Sequence, residues 1–219
     1  MEINAGVMKP EETRESIINR RRYRRNIKGD KFSLYISNYP IIAEYLKSRI
    51  GDDKKVLVEL CCGVGVTLEV LGGAFRRLVG VDNDRKVLSF CLKNLEDAGL
   101  ENKLTLICGD VNEEDTLKKI SADIALYDIP FWSPHEYNGK GDLTKHNPPL
   151  KDLVEKIRNL ITEEIVISCS PQYDYETVLG EVGDCEYQKV FVNGKYNRNH
   201  VYLGRLIQTK GITKIELDA

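Results

Sequence analysis

Hydrophobic positions are sparse and scattered at the start of the chain and become strongly patterned after residue 54. Residues 11–25 read as a polar helix that ends near Gly29, and Pro40 opens a second helix carrying Ile41, Ile42, Tyr45 and Leu46. Beyond them, short continuous apolar runs alternate with helical stretches. The runs at 56–60, 78–81, 104–108, 124–127 and 165–169 predict strands. The apolar stretch after Gly65, residues 84–98 stopped by Gly99, and residues 115–120 and 150–161 predict helices. Continuous apolar strands separated by helices imply a parallel sheet covered on both faces, a doubly wound α/β domain. The end of the chain differs: residues 186–192 and 200–207 are β-rich and joined only by residues 193–198, a hairpin signal. The sheet is therefore expected to be mostly parallel, seven-stranded, and finished by an antiparallel pair.

The turns after these strands carry the chemistry. The first strand runs through Glu59 into Cys61, Cys62, Gly63, Val64 and Gly65. In open α/β sheets ligands bind outside the carboxyl ends of the strands, and glycines there let backbone approach a ligand. A carboxylate at Glu59 disfavours a pyrophosphate and suits a sulfonium that also carries an ammonium group. Asp82, with Asn83 beside it, ends the second strand 17 residues after Gly65. That spacing is near the roughly 20-residue interval at which an acid meets ribose hydroxyls. Asp84 reads as the cap of the following helix. Asp110, followed by Val111, ends the third strand, where a carboxylate can accept from an adenine amino group. Three acids at three successive strand ends predict one ligand site.

The fourth strand leads into Asp128, Ile129, Pro130, Phe131 and Trp132. Pro130 holds Ile129 extended, Asp128 offers an acceptor, and Phe131 and Trp132 offer flat faces on which a base can stack. Such a loop suits transfer to a planar amine, whose hydrogens Asp128 and a backbone carbonyl can accept. The alternative is an apolar loop that merely closes the sheet edge.

Together these positions resemble the class I S-adenosylmethionine-dependent methyltransferases over residues 54–207. The resemblance implies S-adenosyl-L-methionine as cofactor, S-adenosyl-L-homocysteine as product, and a Rossmann-like fold. It places Glu59, Cys61, Gly63 and Gly65 along the methionine part, Asp82 and Asn83 at the ribose, Asp110 and Val111 near the adenine, and Asp128 at the inner edge. Cys61 and Cys62 depart from the common motif, where many members carry another glycine. The loop at Asp128 looks like the [DNS]PP[YFW] motif of amino-methyltransferases, with Ile129 replacing the first proline. Residues 30–37 before the Pro40 helix, the Cys62-Gly63-Val64-Gly65 turn, Ile107 to Asp110, and Asn193-Gly194-Lys195 are similar to the trimethylguanosine synthase branch. That likeness implies an RNA guanosine-type base stacked on Phe131, or on Trp132 in an alternative register, with Asp128, Pro130, Phe131 and Trp132 as the catalytic loop.

Composition narrows this reading. The 219 residues are 42% hydrophobic and 30% charged with a formal net charge of −2, which excludes a globally basic nucleic-acid binder. A local cationic run remains: Arg21, Arg22, Arg24 and Arg25, with Arg20 and Tyr23 among them, either contacts RNA phosphates or forms a solvated helix face. No apolar run is long enough for a membrane helix, and no leader pattern precedes the domain, so a cytoplasmic protein is expected. The six cysteines show no CxxC spacing and read as small buried hydrophobes, with no metal. His146 and His200 have neither triad nor metal spacing. Residues 1–50 are expected to form a helical extension carrying the basic segment, and residues 51–219 the methyltransferase domain. Three other readings stay open: a small-molecule or protein methyltransferase, a non-catalytic nucleic-acid-binding homologue, and a nicotinamide dehydrogenase. Glu59 and the terminal hairpin count against the last. The sequence carries no signal for oligomeric state.

Overall fold

Val56, Leu57, Val58 and Leu60 can be apolar on both sides of their strand because helices cover both faces of the sheet they enter. The fold, a computed structural model, describes residues 26–129 and 149–218. The predicted helix at 11–25, the arginines of the basic segment, and the loop residues Pro130, Phe131 and Trp132 lie outside the described residues.

Two helices, α1 (Lys31–Ile36) and α2 (Pro40–Ile50), precede β1 (Asp52–Leu60). The chain continues through α3 (Val66–Leu71), β2 (Phe75–Asp82), α4 (Arg85–Asp97), β3 (Leu104–Cys108), α5 (Glu114–Leu117) and β4 (Ile124–Asp128). After the undescribed loop come α6 (Leu150–Leu160), β5 (Ile165–Cys169), α7 (Tyr175–Val182), β6 (Glu186–Val192), β7 (Lys195–Tyr202) and β8 (Gly211–Leu217). The strand order is β3-β2-β1-β4-β5-β7-β6-β8. The first five strands pair in parallel, and β7 runs antiparallel between β5 and β6. The doubly wound α/β expectation holds, with an eighth strand in place of the expected seven.

The winding reverses between β1 and β4. Their carboxyl ends therefore open the crevice in which such sheets bind ligands. Period-two alternation sorts side chains between two cores. Val56, Val58 and Leu60 pack with Ala125, Tyr127, Ile165 and Ile167 under α6 and α7. Leu57, Leu126, Val166 and Tyr202 pack under α2, α3 and α4. By the same alternation Glu59, Asp128 and Ser168 belong to the second face.

Caps match the sequence where it was explicit. Asp84 accepts from the Lys86 and Val87 amides, and Gly99 takes a φ of +69° after α4. Two short helices and one strand were not anticipated. Asp30 caps α1 through the Ser33 amide, and Asp174 caps α7 through the Thr177 amide. Strand β8 adds in parallel to the edge of β6. Its return is fixed by the Glu186 carboxylate, which accepts from the amides of Gln208 and Thr209 and pairs with Arg49 at 2.7 Å. Strand β7 begins five residues earlier than the pattern suggested, because Asn193-Gly194 alone forms the turn, both at positive φ. The β6–β7 pairing then slips: Phe191 faces Tyr196 but Val190 faces Arg198, leaving Asn197 as an extra residue. Among the cysteines, Cys62, Cys91, Cys169 and Cys185 are buried and Cys61 is half-buried. Cys108 is exposed, against expectation, because it sits at the open end of β3.

Fully buried Asn94 on α4 ties the segment before α1 to this core. Its side chain accepts from the Lys28 amide at 2.8 Å, and its amide group donates to the carbonyls of Lys28 at 2.8 Å and Val64 at 2.9 Å. Asn94→Ala is expected to lower the denaturant-unfolding free energy by about 1–3 kcal/mol, the scale for backbone groups left without partners.

Candidate active site

The first turn explains its own composition. Cys61 adopts a φ of +62°, Gly63 +54° and Gly65 +81°. Cys61 is thus left-handed without being glycine, a conformation costing about 1–2 kcal/mol. A Cβ on Gly63 would meet nothing within 4 Å, so that backbone is open toward the crevice. Gly65 differs. A Cβ there would come within 2.6 Å of Cys91 Sγ, so Gly65 lets α4 pack close, and it does not line the cavity.

The crevice is a cavity of about 820 Å³, within the range of pockets that take a drug-sized molecule. Glu59, Cys61, Gly63, Asp82, Asn83, Asp110, Val111 and Asp128 all line it. The three strand-end acids singled out by the sequence therefore share one space, and Asp128 joins them. Asp82 accepts from the Gly63 amide at 3.0 Å through one oxygen and from the Asp84 amide at 3.0 Å through the other. It thus fixes the glycine turn as well as facing the cavity. Asp110 accepts from the Asn112 amide at 2.9 Å. The outer wall comes from the segment that Asn94 holds, including Asp30, Phe32, Ser37 and Asn38.

Glu59 is 2% exposed. Burial, and then the nearby Asp128 carboxylate, push its carboxyl well above the ordinary range, against hydrogen bonds from the Thr67 hydroxyl and Leu68 amide. Its Oε2 has no hydrogen-bond partner among the described residues. A buried acceptor left open at a cavity wall is costly unless a cationic or donor group fills the place. The residues present thus fit a ligand with a positively charged end.

Asp128 was expected from the sequence, but its partners were not. Asn38 Nδ2 donates to Asp128 Oδ2 at 3.0 Å and to Thr67 Oγ1 at 2.9 Å. Arg198 Nη1 lies 3.5 Å from Asp128 Oδ1 and donates to Ser168 Oγ at 2.7 Å. Burial raises the Asp128 carboxyl above its usual value, opposed first by the Arg198 charge and then by Ser168 and Asn38. A chain of polar contacts therefore runs from Glu59 through Thr67 and Asn38 to Asp128, Arg198 and Ser168. Period-two alternation was the available signal for Ser168. Nothing in the sequence pattern marked Asn38. No group of His, Cys, Asp or Glu suited to a metal occurs among the described residues, and no described helix is long and apolar enough to cross a membrane.

The profile of a family described as RNA cap guanine-N2 methyltransferase matches residues 54–206, most of the chain. The chain belongs to that family. This methyltransferase is 29% identical over 91 residues to the rRNA N(6)-adenosine-methyltransferase metl-5 of Caenorhabditis elegans. The match covers 40% of the chain and 42% of that relative's length. Its fold is similar to that of a candidate methyltransferase from Porphyromonas gingivalis W83, with a TM-score of 0.66 and 17% identity over 83% of this chain and 44% of the other. It is also similar to an rRNA methylase from Streptococcus thermophilus, with a TM-score of 0.52 and 18% identity over 77% and 96% of the two chains. Its cofactor is S-adenosylmethionine, as membership of this methyltransferase family implies.

Because the Glu59 carboxyl titrates higher in the folded chain than in the unfolded one, folding takes up protons there. The ligand-free protein should lose stability as pH rises from the ordinary carboxyl range through the raised value. Glu59→Gln is therefore expected to raise the melting temperature at neutral pH. The same substitution should weaken S-adenosylmethionine binding about tenfold or more in calorimetry, the scale of one charge-assisted hydrogen bond.

Proposed function

We propose that this methyltransferase acts on RNA and transfers the methyl group to an exocyclic amino nitrogen of a purine base, with guanine N2 the first candidate. The observation that carries the reading is the Asp128 carboxylate at the end of β4, lining the same cavity as Glu59, Asp82 and Asp110. The family description names RNA and guanine N2, and the nematode relative's printed activity names an adenosine amino nitrogen in rRNA. Both targets are aromatic amines with a poorly available lone pair.

Bound S-adenosylmethionine would supply an electrophilic methyl carbon on a sulfonium. Glu59 would face its cationic methionine end, Gly63 and Cys61 would lie along the chain, Asp82 with Asn83 would meet the ribose, and Asp110 with Val111 the adenine. Asp128 would accept a hydrogen bond from the substrate amine, which makes the lone pair more available for in-line attack. The nitrogen would gain the methyl carbon, the carbon–sulfur electron pair would stay on sulfur, and the nitrogen would shed one proton. Asp128, whose carboxyl burial makes more basic than usual, can take that proton and pass it to water. Phe131, or Trp132 in an alternative register, would stack on the base, with Pro130 stiffening the loop. Arg21, Arg22, Arg24 and Arg25 would neutralise RNA phosphates, giving binding that weakens as salt rises.

Total RNA methylated with tritium-labelled S-adenosylmethionine and digested to nucleosides is expected to carry label in N2-methylguanosine. Label in N6-methyladenosine would move the target to adenine, and label confined to metabolites or protein would overturn the RNA reading. Asp128→Ala is expected to cost about a hundredfold or more in rate, as loss of an aligned proton acceptor does, with cofactor affinity changed far less. Full activity in that variant would remove Asp128 from the mechanism.

A further inference from the structure

A buried cation stands beside this site with no assigned work. Arg198 is 4% exposed although it carries a guanidinium. Burying such a pair is not a cheap way to hold strands together, since apolar residues of similar size stabilise as well or better. The slip in the β6–β7 pairing places Arg198 opposite Val190, which packs with Ile42 of α2, while Tyr196 stacks on Phe191. The extra residue thus turns Arg198 toward the face that holds Asp128 and Ser168. Bulges commonly re-aim a side chain next to an active site.

We propose that Arg198, together with Asn38, is a positioning residue for methyl transfer, aiming the Asp128 carboxylate at the substrate amine. The proposal rests on the reading of Asp128 given above. Arg198 Nη1 faces Oδ1 at 3.5 Å, Asn38 Nδ2 donates to Oδ2 at 3.0 Å, and the Ser168 hydroxyl also hydrogen-bonds the carboxylate. A carboxylate has about four lone-pair directions, so these three donors fix its rotation and still leave one direction for the substrate amine. Ser168 Oγ, 2.7 Å from the same Nη1, holds the guanidinium in turn. Through Asn38 the clamp also reaches Thr67 and Glu59, which links the aim of Asp128 to the wall facing the cofactor's cationic end.

The clamp also sets the charge of Asp128. The titratable groups facing it are Glu59 and Cys61 from β1 and its turn, Tyr127 from β4, Cys169 from β5 and Arg198 from β7. Burial disfavours ionisation of Asp128, and Arg198 supplies the opposing positive charge, helped by hydrogen bonds from Ser168 and Asn38. Protonated Asp128 is a weaker acceptor and cannot take the proton the amine sheds, so activity falls as pH falls through its titration. Without Arg198 that fall must begin at higher pH.

The test compares pH profiles of single-turnover methylation of total RNA for the wild type, Arg198→Lys, Arg198→Met, Asp128→Ala and the double variant Arg198→Met/Asp128→Asn. The acid limb should move upward by about one pH unit or more in Arg198→Met, the scale for loss of an opposite charge near a carboxylate, and by less in Arg198→Lys. Calorimetric affinity for S-adenosylmethionine should stay within about threefold, the rate of Arg198→Met should recover partly at alkaline pH, and the double variant should fold and bind cofactor yet remain inactive. Should Arg198→Met not fold, the Arg198→Lys profile decides. An unshifted limb in a folded variant would overturn the proposal, as would a loss of rate that merely follows a loss of cofactor affinity. If Asp128→Ala kept full activity, the reading of Asp128 itself would fail. If Asp128→Ala were inactive and the Arg198 profiles unshifted, only the clamp would fail.

Discussion

Carboxylates withdrawn from water must be given donors, and the architecture at the carboxyl ends of β1, β2 and β4 follows from that demand. Asp82 receives two backbone amides, which shapes the glycine turn. Glu59 receives the start of α3 and still keeps one oxygen open. Asp128 receives a side-chain amide from the segment before α2 and a guanidinium from β7. Elements far apart in the chain are drawn to one crevice because each brings a donor that another element's acid lacks. The crevice remains receptive because the acids are not all satisfied.

Much of this was legible. The five parallel strands could be read from nearly continuous apolar runs, since burial on both faces leaves few polar positions, and Glu59, Asp82, Asp110 and Asp128 stood out as acids at or near the ends of such runs. The caps at Asp84 and Gly99 followed from local chemistry that needs no tertiary context. The unanticipated pieces depend on distant contacts. Helix α7 is short and contains Gly180, and β8 has few apolar residues of its own and gains its place through pairing with β6. Asn38, Asn94 and Arg198 looked like ordinary polar residues, because what distinguishes them is a partner 60 or more positions away. Gly65 shows the opposite error: its motif position suggested ligand approach, whereas α4 claims the space.

The wall formed by residues 30–38 has no counterpart in the bare doubly wound sheet. It depends on Asn94, a fully buried residue of α4 that holds both the Lys28 backbone and the glycine turn at Val64. One side chain thus fixes the distance between the outer wall of the cavity and its floor. The left-handed Cys61 on that floor is tolerated because the surrounding turn is held by Asp82 and by the Cys62 amide bound to the Val81 carbonyl at 2.9 Å.

The single unpaired residue in the terminal hairpin acts as a frame selector. With Asn193-Gly194 as the turn and no residue to spare, Asn197 would stand opposite Val190 and a neutral amide would point toward Asp128. Accommodating one more residue advances the frame, and a permanent cation arrives there instead. The electrical character of the crevice is thus written in the pairing arithmetic of two edge-side strands, several residues from the groups it governs.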